Sequence, residues 1–430
     1  MWISFSSLSI FHFGVGVTPI KTPSTTRMMT SALLCETLDE LKVERTIGCG
    51  SFGRVKVATH IASGTIVALK ILQKTNVVEM KQVRNIVRER DIVASLQHPN
   101  VLRLYSTFQD ADCLYMMLEL VNGGELYRLM HGDGSEENPL PRQQARFYAA
   151  QVISVYEHIH QRGLIYRDLK PENLLVTAHG YLKVVDWGFA KDLGGSADKT
   201  TFTMCGTLEY LAPEALNGSG HGQMADLWSL GALLYEMLVG YSPFVGDDVN
   251  DKIATTQRIL EGSLEWPEEL MQKPSQEGSG GHIDPAMRSL VEGLLTVNIH
   301  ERLGSAYVSA AARTGGAASE HYYLQDIMEH RAYRDNYLCS GESGLSDGDG
   351  SASKVGEGAR KMGGSDGLGC RFDDDLFSWT AMQSFAMAAP WVPSLPDGVS
   401  RDVSNFEDIF DDEPEEVLAY DGDQAVFQGF

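Results

Sequence analysis

The chain has 430 residues, 43% of them hydrophobic, with 58 acidic against 35 basic residues and a formal net charge of −23. There is apolar material for a large core, and the acidity argues against a general nucleic-acid binder. The six cysteines form no C-x-x-C pair, which argues against a zinc site or a disulfide framework, and no apolar run reaches the length of a membrane span.

In chain order, residues 1–20 are apolar and Ser-rich but lack a basic start and a small-residue cleavage site, so they read as an extension rather than a secretory signal. Trp2 stands where N-myristoylation requires Gly. Residues 1–37 are expected to be a mobile N-terminal extension. Apolar, β-branched runs at 41–47 and 55–60 then flank Gly48-Cys49-Gly50-Ser51-Phe52-Gly53-Arg54-Val55, a G-x-G-x-x-G-x-V sequence. Between two strands, such a loop reads as a hairpin over phosphates; in a dinucleotide fold it would open a helix. A third strand is predicted at 65–71 and carries Ala68-Leu69-Lys70. Lys70 is the candidate for gripping the α- and β-phosphates of a nucleotide. A helix is predicted over 82–96, where Val83, Ile86, Val87, Val93 and Leu96 recur near helical spacing and His98-Pro99 follows. Glu89 on that helix is the expected partner of Lys70. A short apolar strand at 114–119 leads into Glu119-Leu120-Val121-Asn122-Gly123-Gly124-Glu125.

The most informative stretch is Tyr166-Arg167-Asp168-Leu169-Lys170-Pro171-Glu172-Asn173, followed thirteen residues after that Asn by Asp186-Trp187-Gly188. It sets a carboxylate, an ammonium, an amide and a second carboxylate on adjacent loops, the groups that phosphoryl transfer from ATP requires. Asp168 can accept the hydrogen bond of an incoming hydroxyl, and Lys170 can neutralise the moving phosphoryl group. Asn173 and Asp186 can hold magnesium through oxygen.

Taken in this order, the motifs resemble those of eukaryotic protein kinases. Three features narrow the resemblance to the AGC group, closest to the catalytic subunit of the cyclic-AMP-dependent kinase. Tyr166 precedes Arg167-Asp168 where most kinases have His. Thr203-Met204-Cys205-Gly206-Thr207-Leu208-Glu209-Tyr210 is similar to the group's phosphorylated loop, with Leu208 where Pro is usual. The C-terminal part carries Ala389-Pro390-Trp391-Val392-Pro393, Ser404-Asn405-Phe406-Glu407-Asp408 and a terminal Phe427-Gln428-Gly429-Phe430.

The resemblance implies an α+β, bilobal kinase fold. A small lobe (38–118) would be an antiparallel sheet with one main helix. A hinge (119–125) would lead to a mainly helical large lobe (126–334), and a tail (335–430) would wrap both. The Ala/Gly/Ser-rich insert 305–320 and the Gly/Ser/Asp-rich insert 340–369 cannot offset their ordering entropy by burial and are expected to be mobile. ATP and Mg2+ are implied as substrate and cofactor. Gly48, Gly50, Ser51, Phe52, Gly53 and Val55 would cover the phosphates. Ala68 and Leu118 would border the base, the backbones of Glu119 and Val121 would bond adenine, and Glu125 would reach the ribose. Glu214 is expected to pair with Arg302, and Asp226 to bond the catalytic-loop backbone. Thr203 matches the activation phosphosite, with Arg167 and Lys191 as its ligands. Glu125, Glu172 and Glu236 match acids that bind arginines upstream of the phosphoacceptor, while Met204, Leu208 and Leu211 would hold the residue after it. The implied substrate motif is Arg-Arg-x-Ser/Thr-hydrophobic, with Ser/Thr specificity implied by Lys170 and Thr207.

The implied partners are protein substrates with basic motifs, a cyclic-nucleotide-binding regulatory subunit and an upstream activating kinase, in a cytoplasmic and also nuclear setting. About forty residues precede the kinase region, fewer than a cyclic-nucleotide domain needs, so the expected regulator is a separate chain or phosphorylation. A cyclic-GMP-dependent or other AGC kinase is the alternative within the class. A pseudokinase scaffold is disfavoured because Lys70, Asp168 and Asp186 are all present. Where the family places a Tyr three residues after the tail Phe, this chain has Ile409. The last sixty residues carry fourteen acids against two arginines, about half of the net charge, which suits a solubilising tail or one that recruits basic substrates.

Overall fold

The computed structural model describes residues 33–50, 52–132, 139–194, 199–246, 248–271, 283–305, 324–334, 377–394 and 417–430. Strands β1 (Leu41–Gly50), β2 (Gly53–His60), β3 (Ile66–Gln73), β4 (Leu104–Gln109) and β5 (Cys113–Glu119) form one antiparallel sheet in the order β1-β2-β3-β5-β4. β4 at the edge buries alternate side chains, whereas β3 and β5 inside the sheet are buried on both faces. The β1–β2 ladder runs to Gly50↔Gly53, so the glycine-rich sequence is the tip of a hairpin. A side chain at Gly53 would place its Cβ 1.9 Å from the carbonyl oxygen of Ile71, which explains the glycine by backbone approach.

Two helices cover the sheet. α2 (Val83–Ser95) buries Ile86, Glu89, Ile92 and Val93, so its one carboxylate on that face is drawn into the interior with the apolar residues. α1 (Lys74–Glu79) was not expected, since Thr, Asn and two Val give little helix signal. It forms because Val77 and the stem of Lys74 are fully buried.

The second lobe is helical. α3 (Leu126–His131), α4 (Arg142–His160), α5 (Pro213–Leu216), α6 (Gln223–Val239), α7 (Lys252–Glu261), α8 (Glu268–Met271) and α9 (Pro285–Leu294) follow in order. α6 is buried along its whole length and forms the centre against which α4 and α9 pack. Short strand pairs β6 (Leu164–Ile165) with β9 (Lys191–Asp192), and β7 (Leu174–Val176) with β8 (Leu182–Val184), frame the loops that carry the chemistry. Glu214 and Arg302 form the expected pair at 2.7 and 2.9 Å, with Arg302 fully buried and stacked 5.1 Å from the Trp228 ring. No helix among the described residues is long and apolar enough to cross a membrane.

The described tail segments lie on both lobes. Trp379 donates to the carbonyl of Met328 at 2.9 Å, and Phe385 stacks on Tyr181 at 4.1 Å. A Cβ on Gly180 would come within 2.1 Å of the Trp391 carbonyl oxygen, so that glycine lets the tail cross. Phe427 is buried on the small lobe beside α2 and α1. The N-terminal residues 1–32, most of the inserts 305–320 and all of 340–369, the segment Ser404–Asp408 and Ile409 lie outside the described residues, as does Ser51.

Candidate active site

Between the lobes lies a cleft of about 640 Å³, part of it open to solvent. Ile47, Val55 and Ala68 form its roof, Leu175 and Val185 its floor, and Leu118 to Val121 its back. Two apolar sheets facing each other suit a flat aromatic ring, held at its edge by backbone groups. The amide of Glu119 already donates to the Arg103 carbonyl at 2.9 Å, so that N–H is not left for a ligand. A smaller cavity of about 210 Å³ lies under the hairpin, lined by Gly50, Phe52, Gly53 and Leu72, and Lys70 and Val55 border both spaces. Gly48 pairs with Val55 in the ladder. Phe52 turns its ring into the buried core, so the hairpin's offer to an anion comes from backbone rather than from that side chain. Glu125, expected at the ribose, is buried at the start of α3 with its backbone bridged to Leu175, and it does not line the large cavity.

Lys70 Nζ meets Glu89 Oε1 at 2.7 Å, both side chains almost fully buried. Burial opposes the ammonium charge, but Glu89 and Asp186 outweigh it and raise the Lys70 pKa. The pair therefore fixes a cation at the mouth of the phosphate space.

The catalytic loop is held from below by Asp226, whose carboxylate accepts from the amides of Tyr166 at 2.9 Å and Arg167 at 2.8 Å. That clamp sustains a left-handed conformation at Arg167 (φ 71°), unfavourable for a side chain of its size. The consequence is the placement of Asp168. Its Oδ2 accepts from Asn173 Nδ2 at 2.8 Å and lies 3.5 Å from Lys170 Nζ. Its buried Oδ1 has no hydrogen-bond partner among the described residues. Burial and the Asp186 charge push the Asp168 carboxyl up to about 6, against the pull of Lys170. An open, buried acceptor of raised basicity is what a hydroxyl nucleophile needs beside it.

Asp186 also sits at positive φ (52°), and Trp187 below it is buried edge-on to Tyr166 at 4.9 Å. Asn173 Nδ2 is spent on the carbonyl and carboxylate of Asp168, which leaves Asn173 Oδ1 as its ligand atom, and Asp186 supplies carboxylate oxygen. Two hard oxygen donors beside mutually repelling carboxylates fit magnesium.

The activation segment brings together residues far apart in sequence. Arg167 NH1 reaches the Thr203 carbonyl at 3.4 Å, whereas Lys191 Nζ donates to the hydroxyl of Thr201 at 2.7 Å. In the unmodified chain Thr203 is exposed and Thr201 is buried. Sequence reasoning missed Arg88 of α2. Its NH2 lies 3.4 Å from the Gly188 carbonyl, and its buried Nε has no partner. Burial and then Arg167 lower the Arg88 pKa; burial, Arg167 and Arg88 do the same to Lys191. None of these three cations forms an ion pair among the described residues. The resemblance already joins Arg167 and Lys191, but no sequence signal joins Arg88 to them.

On the substrate side, Lys170 Nζ lies 3.3 Å from Thr207 Oγ1. Glu125, Glu172 and Glu236 converge. Burial, then these three acids, raise the pKa of the Tyr127 hydroxyl they surround. Glu236, expected to await a substrate arginine, already accepts from Tyr210 and contacts His131 Nε2 at 3.0 Å. Leu208 and Leu211 are half-buried, and Met204 is exposed on the same segment.

A family model described as the protein kinase domain matches residues 41–312. The chain is 38% identical over 291 residues to "Protein kinase 2" of Dictyostelium discoideum, covering 68% of this chain and 55% of that protein. It is 38% identical over 304 residues to the cAMP-dependent protein kinase catalytic subunit of the same organism, covering 70% and 42%. To the cGMP-dependent protein kinase of Plasmodium berghei it is 41% identical over 231 residues, covering 54% and 26%. The chain spans about half the length of the first of these relatives, and less of the others.

Proposed function

This chain belongs to the protein kinase domain family, and we propose that it transfers the γ-phosphoryl group of ATP to Ser or Thr hydroxyls in proteins carrying Arg-Arg-x-Ser/Thr-hydrophobic sequences. The observation that carries this reading is the buried, unpartnered Oδ1 of Asp168 between Lys170 and Asn173. Asp168 accepts the hydrogen bond of the substrate hydroxyl, orients it and takes its proton as the oxygen bonds to the γ-phosphorus and the bond to the β-phosphate oxygen breaks. Lys170 offsets charge on the moving group. Lys70, locked by Glu89, holds the phosphates that stay behind. Bound through Asn173 Oδ1 and Asp186, magnesium supplies neutralisation of phosphate charge. Catalysis here is mainly positioning and electrostatics.

The substrate preference is supported by the convergence of Glu125, Glu172 and Glu236. Activation through phosphorylation of Thr203, by an upstream kinase or by the chain itself, is supported by Arg88, Arg167 and Lys191 beside that segment, none of which forms an ion pair among the described residues. A cyclic-nucleotide-binding regulatory subunit is proposed as partner because relatives are named cAMP-dependent. A peptide array tests the reading. Phosphate should appear on Ser and Thr, not Tyr, and rates should fall when either upstream arginine becomes Ala. Equal rates on both peptides would refute the motif; transfer to Tyr alone would refute the acceptor class.

A further inference from the structure

The Glu236 carboxylate is occupied before any substrate arrives. Tyr210 donates its hydroxyl to Oε2, and His131 Nε2 lies 3.0 Å from Oε1. The contact is largely desolvated, with side-chain exposures of 16% for His131 and 7% for Glu236. Because an ionised carboxylate only accepts, Nε2 carries the proton. The ring is fixed from its other side by Tyr127, with centroids 4.6 Å apart. A substrate guanidinium that binds Glu236 must therefore displace the histidine or share the carboxylate with it.

We propose that His131 is a specificity-determining residue that governs, through its own protonation, how strongly the Glu236 subsite accepts a substrate arginine. The inference rests on the kinase reading with its arginine preference. A neutral imidazole offers one N–H and no charge, so a guanidinium with five donors and a fixed charge displaces it. An imidazolium offers a full charge at the same oxygen and competes. Imidazole is the side chain that changes charge between about pH 5 and 8. The other titratable groups facing this pair are Tyr127 on α3, Tyr210 and Glu209 on the turn before α5, and Glu125 and Glu172, with Lys170 acting on Glu172. Arg128, three residues before His131 on α3, carries a fixed charge, so His131 is the group among these that can gain a positive charge as pH falls.

The test compares kcat/KM for a basic Ser peptide with that for the same peptide bearing citrulline in place of the upstream arginine, from pH 6 to 8. The ratio cancels groups that act on both peptides, Asp168 among them. In the wild type the ratio should fall as pH drops from 8 to 6, and the change should lie in KM. His131→Gln keeps a neutral donor and should hold the ratio high and flat. His131→Arg should hold it low at every pH. A flat wild-type ratio above one, or a slope that persists in His131→Gln, would overturn the role of His131 while leaving arginine recognition intact. A ratio of one at every pH would instead sink the arginine preference itself. Melting temperatures of both variants confirm that folded enzymes are compared.

Discussion

Truncating Phe427 to Ala tests whether the tail is part of the catalytic domain or only follows it. The ring is 1% exposed, with Tyr420 edge-on at 5.7 Å and the Lys74 ammonium 5.3 Å from its centroid. Gln109 Nε2 donates to its carbonyl at 2.9 Å, Gln424 Oε1 accepts from Lys74 at 2.7 Å, and the amide of Tyr420 donates to Asp112 at 2.8 Å. In a rigid core, Phe→Ala costs about 3–5 kcal/mol. Here the segment can leave the lobe, so the cost is capped by its docking free energy. Burial of the ring contributes about 2–3 kcal/mol and the aromatic contact about 1 kcal/mol, against the entropy of ordering the segment. We expect a net loss of about 2 kcal/mol, a fall in Tm of about 3 °C for a domain of this size. Activity should fall with it, because Arg90 stacks on Phe430 one residue after Glu89 and ties the tail to the helix that holds Lys70. The assay is thermal denaturation beside kcat/KM on a basic peptide, for Phe427→Ala and for deletion of residues 417–430. If both variants melted within about 1 °C of the wild type at unchanged kcat/KM, the tail would be an appendage and the reasoning would fail.

Three further outcomes are expected. Glu89→Gln strands the buried Lys70 cation, and should cost about 3–5 kcal/mol of stability and most of the turnover; an unchanged melting curve would contradict the desolvated pair. Arg88→Ala should reduce the thermal shift between Thr203-phosphorylated and dephosphorylated enzyme by about 2 kcal/mol, the scale of one charge-assisted hydrogen bond, whereas an equal shift would remove Arg88 from the anion's surroundings. Burial, chiefly, holds His98 at about 3 and His158 at about 4. Both lie below the unfolded value, so the unfolded chain binds more protons under acid. Their stabilisation is complete above about pH 6.5 and is lost as pH falls toward those values, by about 2 kcal/mol at pH 5 for His98 and less for the more exposed His158. Replacing both with Gln should flatten the acid side of the Tm profile, and an unaltered slope would assign the acid loss to other groups.

The parts of the fold legible in sequence are those whose cause is local. The β-branched runs around the glycine hairpin, the periodic face of α2 and the Asp168–Asn173 loop each carry their signal within a few residues. α1 was not legible because its sequence disfavours a helix, and only the burial of Val77 and Lys74 makes one. Phe52 lines the space under the hairpin with its ring packed on the core, a direction that sequence cannot give for an aromatic at a hairpin tip. The place of Arg88 beside Arg167 and Lys191 and the His131–Glu236 contact join residues up to 105 positions apart, so only the folded chain reveals them. Glu236 is the instructive case. Its place inside an apolar helix correctly demanded a partner, but the partner is internal.

The central claim is that Asp168 sits in a working phosphotransfer site. The most direct measurement is incorporation of labelled γ-phosphate from ATP, with magnesium, into an Arg-Arg-Ala-Ser-Leu peptide by the wild-type chain and by Asp168→Ala. Nucleotide binding should be followed in parallel by thermal shift. The account predicts turnover by the wild type, loss of nearly all of it in Asp168→Ala, and nucleotide-induced stabilisation of similar size in both. Wild-type turnover retained in Asp168→Ala, or nucleotide binding without any transfer by the phosphorylated wild type, would contradict it.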